Sequence, residues 1–554
     1  MALWACGDEP LSPTIAFRLH GPPPLDFSGR CAEPAEPVPL WPRPASVRLS
    51  FRIAGGGPLV CDAVVSDAGR VVAVPAGDDR VEVFAEVYDE GGALAGVGAA
   101  REVDLTAAGE VRLFVTPRGA FGCTLRRGTA PRALHAAVPL PGGGALLIGG
   151  LDRIVGADGY ASASVDLYDG GSFRPVPAAG LSARALHGAT VLGVDPDGSV
   201  RIAVFGGVTV RGDPAASPVL TAPDDGAPLP IVPAPAAVGA PTEILRYDPA
   251  SSQIAVEAAG PGEVTPRLMA AVTAAGAAPP VIAGGWADAA RTTPALTVEG
   301  LDPDTGLAAF SADLVTPRYG GTATPVAPGR VVLWGGHLDA PPAQRGALAG
   351  EMLLLGTPPV SSTLAFADPD APPASRALHA AAAVAGGGLV VAGGVALGDG
   401  GAAGLVEPFA ERIDAGAVTT HAPLPVDGGA APALLPAAVS LADGGALIAG
   451  GGGLCPDSGP LACPVRAAYR YDATSGELAR AGDLQVARWG AVAVALPSGD
   501  VLVTGGVALD ADGAPTPVAD AEVTHAGSAD LDPIADLGLD RPPAVAVQPC
   551  PEPR

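Results

Sequence analysis

The sequence predicts an all-β protein: a seven-bladed β-propeller built from four-stranded repeats, preceded by a small antiparallel β-sandwich. Three observations predict it. The stretch PRALHAAVPLPGGGALLIGG at 131–150 returns seven times at a spacing of roughly 50 to 60 residues, the mark of a propeller or similar array. Glycine and proline, 77 and 61 residues of 554, interrupt almost every window longer than about ten residues, too short for a stable helix despite the abundant alanine. Ahead of the repeats, four stretches alternate apolar and polar residues at period two, the pattern of half-buried strands.

In chain order, the N-terminus reads MALWACGDEP, and Leu3, Trp4, Ala5 and Cys6 resemble the end of a bacterial lipoprotein signal with Cys6 as the lipidated residue. Only five residues precede Cys6, so the charged and apolar regions of a signal peptide are missing, as they would be if the start codon were placed too late. No other stretch approaches the ~20 apolar residues of a membrane span, so attachment would depend on this one lipid. From Leu11 to about Pro44 the chain is rich in proline and without periodicity, which predicts a tether over 1–44. Residues 45–118 carry the alternating stretches SVRLSFRI, RVVAVPA, RVEVFAEVYD and EVRLFVT between glycine-rich turns, hence the small sandwich, a spacer or packing module.

The propeller is expected over 119–554. An arginine precedes a double glycine by 17 residues at Arg132, Arg267, Arg318, Arg376 and Arg488; Arg184 keeps the pattern around a DPDGS insert, and one copy has Ala433 instead. Between arginine and glycines, two apolar runs flank a PGGG or DGG turn, a hairpin. A third strand with an aromatic and an aspartate follows, as in VDLYD and EILRYDP, and then a short fourth. Alanine dominates the first strand, as convergence on a crowded axis would require. The double glycines at Gly149, Gly206, Gly284, Gly335, Gly393, Gly450 and Gly505, with their Tyr-Asp-like strands, resemble kelch repeats, and the family implies a β-propeller. The late tryptophan usual in kelch units is missing from most copies, and EMLLLG and AEVTHAG lack the Tyr-Asp pair.

Six cysteines remain after Cys6. Position suggests Cys31 with Cys61, Cys455 with Cys463, and Cys123 with Cys550, the last clasping the ends of the ring, although six cysteines allow 15 pairings. Disulfides imply an oxidising compartment, in keeping with a bacterial envelope, outer-membrane, surface or periplasmic location. The closing strand is either FGCTLR before the first unit or AVAVQ at 544–548. The net charge of −26 argues against nucleic acid. All 32 basic residues are arginine, which points to nucleotide-composition bias rather than to one function.

Function is expected at the inserts. The second-to-third strand connections share a face with the connections between units and vary greatly in length, from 18 residues between Gly150 and Tyr168 to 40 between Gly207 and Tyr247. Insertions gathered on one face mark a binding face, although residues 211–241 read equally well as an unselected proline-rich loop. Arg132, Arg184, Arg267, Arg318, Arg376 and Arg488 should ring that face near the axis, where they either receive an anionic ligand or, as residues repeated in nearly every unit more often do, fasten unit to unit through double-glycine carbonyls. His135, His187 and His379 share one repeat position and read as structural.

Three functions compete. The first is a non-catalytic, monomeric, envelope-anchored module without cofactor, recognising a protein or glycan. The second is a propeller enzyme, copper oxidase-like or glycan-active; Tyr168, Tyr247 and Tyr471 sit at a repeat position and the cysteines look paired, so no catalytic residue is assigned. The third is a calcium-stabilised scaffold using acidic turns such as 195–198 and 510–513, which fall short of a full ligand set.

Overall fold

A computed structural model of the chain describes residues 14–526 apart from internal stretches, the longer ones being 54–58, 66–70, 74–79, 105–109, 222–230, 274–278, 339–348, 398–402, 425–433 and 454–462. The described residues are all-β, arranged in many small antiparallel sheets and one larger mixed sheet.

The larger sheet is N-terminal. Its seven strands run in the spatial order Leu59–Val65, Ser46–Ile53, Arg80–Tyr88, Leu94–Asp104, Glu110–Pro117, Thr14–His20, Val71–Ala73. Alternation sends Val47, Leu49 and Phe51, then Val81, Val83, Ala85 and Val87, then Val111, Leu113 and Val115 into one core. Phe17 and Phe51 stand in strands four places apart, about 19 Å in a flat sheet, yet their rings meet edge to face with centroids 5.5 Å apart. One continuous sheet is therefore folded over on itself, where two separate sheets were expected. Part of the expected tether belongs to it. Thr14–His20 pairs in parallel with Glu110–Pro117, Phe17 and Leu19 entering the core; its partner lies some ninety residues away, so no local turn signal announces the strand.

Seven units follow, spanning residues 136–175, 188–258, 271–313, 322–363, 380–424, 437–483 and 492–525. Each is a four-stranded antiparallel sheet in sequence order, first strand at one edge and fourth at the other, except that the seventh takes its fourth strand from upstream. There Gly122–Cys123 pairs with Ala521–His525, so FGCTLR and not the C-terminal candidate fills the place; 544–548 lies outside the described residues.

The double glycines join neighbours. Gly150, Gly285, Gly336, Gly451 and Gly506 each donate their N–H to the carbonyl of the next unit's arginine, Arg184, Arg318, Arg376, Arg488 and Arg132 respectively, at 2.7–2.8 Å. The last of these runs from the seventh unit to the first. Gly335 shows why the preceding position is glycine: its φ is 61°, and a Cβ there would sit 2.2 Å from the Arg376 carbonyl oxygen.

A second series of bonds lies two residues after the arginine position. Leu134, Leu186, Met269, Gly320, Leu378, Leu435 and Gly490 all adopt the left-handed conformation, with φ between 46° and 69°. Leu134 N–H bonds to Gly490 O, Leu186 to Leu134, Gly320 to Met269, Leu378 to Gly320, Leu435 to Leu378 and Gly490 to Leu435, all at 2.8–3.0 Å. Left-handed leucine is strained by about 1–3 kcal/mol and persists only where its surroundings over-determine it. Here Leu134, Leu378 and Leu435, like Gly320 and Gly490, are each held by neighbours on both sides. Leu134, Met269 and Leu378 join Trp286, Trp489 and Val507 in one buried apolar cluster, against which the partly buried Tyr319 of the fourth unit packs.

Candidate functional site

In an antiparallel four-stranded unit, the turns between strands one and two and between three and four lie at one end. The connections between two and three and between units lie at the other, and that end carries the elaborations. In the first unit the connection forms the hairpin Leu151–Val155 with Asp158–Ala161. The second unit's insert adds Leu220–Thr221 and Val232–Pro233 to it, giving one four-stranded sheet made from two units' loops. Val219 N–H bonds to Gly159 O at 2.8 Å, Ala234 N–H to Val219 O at 3.0 Å, and Arg153 to Ala215 O at 2.6 Å. Val219 and Ala234 are fully buried. The 211–241 insert is thus folded onto its neighbour where it is described, not a loose loop; 222–230 lies outside the described residues.

Shorter hairpins rise at the same end, among them Val208–Val210 with Ala237–Gly239, Val395–Leu397 with Ala403–Leu405, and Val507–Leu509 with Pro515–Pro517. Val155, Leu296, Val315 and Leu509 stand exposed there. The opposite end meets the N-terminal sheet: Thr116 bonds to Asp500 at 3.4 Å, Arg118 bridges to His525, and Phe114 packs with Tyr168, Phe173 and Leu496.

The six arginines do not ring an open mouth. Each is at most 2% exposed and paired with a carboxylate on the third strand of its own unit: Asp166, Glu243, Glu299, Glu351, Glu411 and Glu522 for Arg132, Arg184, Arg267, Arg318, Arg376 and Arg488. The guanidinium groups also reach carbonyls of the double glycine, Arg318 to Gly335 O at 2.8 Å, Arg376 to Gly393 O at 2.9 Å and Arg488 to Gly505 O at 3.1 Å. These glycines belong to the arginine's own unit, whereas a side-chain link to the next was expected; the backbone carbonyl makes the link between units. The carboxylates further accept amide N–H groups from the connection just before the arginine, Thr129, Ser182, Thr265, Val315, Thr316, Gln485 and Val486. Burial lowers the pKa of Arg132, Arg184 and Arg267 and raises that of Glu522, each opposed by its partner's charge. With all valences turned inward, an anionic ligand has no guanidinium to meet.

The acidic partners escaped the sequence reading because the inserts displace them: they follow their arginines by 34, 59, 32, 33, 35 and 34 residues. One signal was available. The unit with Ala433 for arginine also lacks the acid, because Tyr469 pairs with Ile448 two residues before its double glycine, the register at which Glu411 pairs with Val391.

His135, His187 and His379 lie between units. Their rings abut Gly505, Gly149 and Gly335 of the preceding unit, within 2.7–3.0 Å of where a Cβ would be. Burial, with Arg184 and Arg376 beside them, pushes His187 and His379 down to about 3; burial, Arg132 and His187 hold His135 well below the usual histidine value. Neutral rings wedged between sheets are packing groups. Of the tyrosines, Tyr168 and Tyr471 are buried in unit cores. Among the described residues no three acidic, histidine or cysteine side chains converge as a metal site would need, and the acidic turns use their carboxylates locally, Asp510 accepting from the amides of Asp512 and Ala514.

Two expected disulfides are overturned by one bond. Cys31 joins Cys123, so neither Cys61 with Cys31 nor Cys550 with Cys123 can form. The segment after Thr14–His20 runs to the seventh unit, where Cys31 N–H and Arg30 both bond to Asp520, at 2.8 and 3.0 Å; Cys31 therefore arrives beside the closing strand. Cys463 is disulfide-bonded, while Cys455, Cys550 and Cys6 lie outside the described residues. No family model matches the chain, and no curated protein resembles it.

Proposed function

We propose that the chain is a seven-bladed, kelch-type β-propeller, held at a bacterial envelope by a lipid on Cys6, that recognises a protein or glycan through its insert-bearing end without catalysing a reaction. The cyclic succession of unit-to-unit hydrogen bonds, ending on Arg132, supports the ring. The observation that carries the function is the four-stranded sheet assembled from the inserts of the first two units. A loop under no constraint has no reason to bury Val219 and Ala234 against its neighbour, whereas a recognition surface must be rigid to limit the entropy lost on binding. The opposite end is occupied by the N-terminal sheet, which leaves the insert-bearing end for a partner. The Cys31–Cys123 disulfide agrees with an oxidising compartment.

The test is affinity purification from envelope extracts with the intact chain and with a variant in which 211–241 is replaced by a short glycine-serine linker. The reading expects a defined partner with the first and its loss with the second. An unchanged set of partners would remove the insert from the recognition surface.

A further inference from the structure

The junctions between neighbouring units are not alike. The one between the second and third units lacks both backbone series, whereas each of the others carries one or both. Among the described residues Gly207 N–H makes no hydrogen bond to Arg267 O, and Met269 N–H makes none to Leu186 O.

Apolar packing is thinnest at the same place. Ala203, Phe205, Ile244, Val264, Ile282 and Leu301 are the six buried side chains that fill it, against nine to sixteen at each of the other junctions among the described residues. One cause is local. The third unit's first strand runs only over Ala271–Val272, where the other units have first strands of four to seven residues, so less strand faces the second unit. Polar links do not make up the difference. Thr242 N–H reaches Glu263 and Arg201 reaches Asp304 O, both at 2.7 Å, but Glu263 and Asp304 are exposed and water competes for each. The Thr242 hydroxyl is buried without a partner.

The junction on the other side of the second unit is the opposite case. It has both backbone bonds, Gly150 to Arg184 and Leu186 to Leu134, and a core of sixteen buried side chains. The shared insert sheet joins the same two units. Where the seventh unit meets the start of the chain, the Cys31–Cys123 bond and the Cys31 amide on Asp520 reinforce a closure that would otherwise be the natural weak point. Partial opening follows the boundary with the fewest buried apolar groups and backbone hydrogen bonds.

We infer that the assembled units open at the junction between the second and third, and that the insert sheet moves with the first and second units as one body, so that the insert-bearing end widens on that side. The inference rests on the junctions alone and holds whether or not the insert sheet recognises a partner.

Two pairs of adjacent, fully buried residues test it. On Val200–Phe205, Ala203 faces the third unit and Val204 the first; on Val281–Ala283, Ile282 faces the second unit and Val281 the fourth. Each is replaced singly by cysteine in the full chain: Ala203→Cys, Val204→Cys, Ile282→Cys and Val281→Cys. Alkylation by iodoacetamide in native buffer is followed at that peptide by mass spectrometry, and each rate is divided by the rate in the urea-unfolded chain. Unfolding of a whole unit exposes both members of a pair equally, whereas opening at the junction exposes only one. Ala203→Cys should react at least tenfold faster than Val204→Cys, and Ile282→Cys at least tenfold faster than Val281→Cys. Each folded pair decides by itself, so that a variant that fails to fold leaves the other pair to give the answer. A ratio below tenfold in either folded pair overturns the inference.

Discussion

The buried arginine-carboxylate pairs make a sharp energetic prediction, clearest at Arg318 and Glu351. Both are about 1% exposed or less; Nη2 and Nε of Arg318 reach one Glu351 oxygen at 2.6 and 3.2 Å, and the carboxylate also accepts the amides of Val315 and Thr316 and the Ser361 hydroxyl. Arg318→Ala leaves a carboxylate buried without its counter-ion, which costs about 3–5 kcal/mol. Glu351→Ala strands the guanidinium and two amides, at a similar cost. Removing both charges together avoids the uncompensated ion, so the double Arg318→Ala/Glu351→Ala chain should fall short of the summed single losses by about 2–4 kcal/mol. Urea titrations followed by the fluorescence of the buried tryptophans would give the three values. Additivity within about 0.5 kcal/mol would refute the reasoning, because it would mean that arginine and carboxylate act as separate packing groups.

Three further outcomes follow from the same geometry. His187 and His379 have folded-state pKa values of about 3 against 6.5 for the free residue, so the unfolded chain binds more protons between those values and stability falls as pH drops through 6.5; by pH 5 each should have lost about 2 kcal/mol, and His187→Gln should remove about that much of the acid sensitivity between pH 8 and 5. Gly335→Ala should be far more damaging than Gly156→Ala in thermal melts, because both have φ of 61° but only at Gly335 would the new Cβ strike a backbone carbonyl, at 2.2 Å. Cys31→Ser/Cys123→Ser removes a cross-link spanning 92 residues, worth up to about 4–5 kcal/mol by loop entropy, and should lower the urea midpoint without changing the β content of the folded state.

What the sequence made legible was whatever repeats at fixed spacing. The arginine and double glycine keep their 17-residue interval because both lie within one hairpin, so unit type and strand order follow from them. The acids do not keep theirs: Glu243 lies 59 residues after Arg184 where the other five pairs span 32–35. Without its acid, the arginine position looked open to a ligand; with it, the charge is consumed. The left-handed residues were equally hidden, since Leu134 and Leu378 have no residue-type signature for a conformation imposed by neighbours on both sides. The Cys31–Cys123 pairing could not be inferred from position along the chain, because Cys31 reaches the seventh unit on a segment that had no evident strand partner of its own.

The seam argues that the N-terminal region is not a detachable spacer. The strand that completes the seventh sheet is two residues long, and Glu522 with Cys123 and Val523 with Gly122 are its only ladder partners among the described residues. A ladder so short cannot by itself outweigh the entropy of ordering the strand. Upstream residues supply what it lacks: Cys31 bonds covalently to Cys123, Arg30 and the Cys31 amide hold Asp520 at the start of the pairing third strand, Pro22 packs against Gly122, and Phe114 joins the core shared by the first and seventh units. A chain beginning at residue 119 keeps every unit and the closing strand yet loses all four supports. It should therefore expose the edge of Ala521–His525 and aggregate or melt well below the full chain, whereas a module joined only by a tether would leave the seven units as stable as before. Equal melting temperatures for the truncated and full chains, measured in the same oxidising buffer, would show that the two-residue strand suffices.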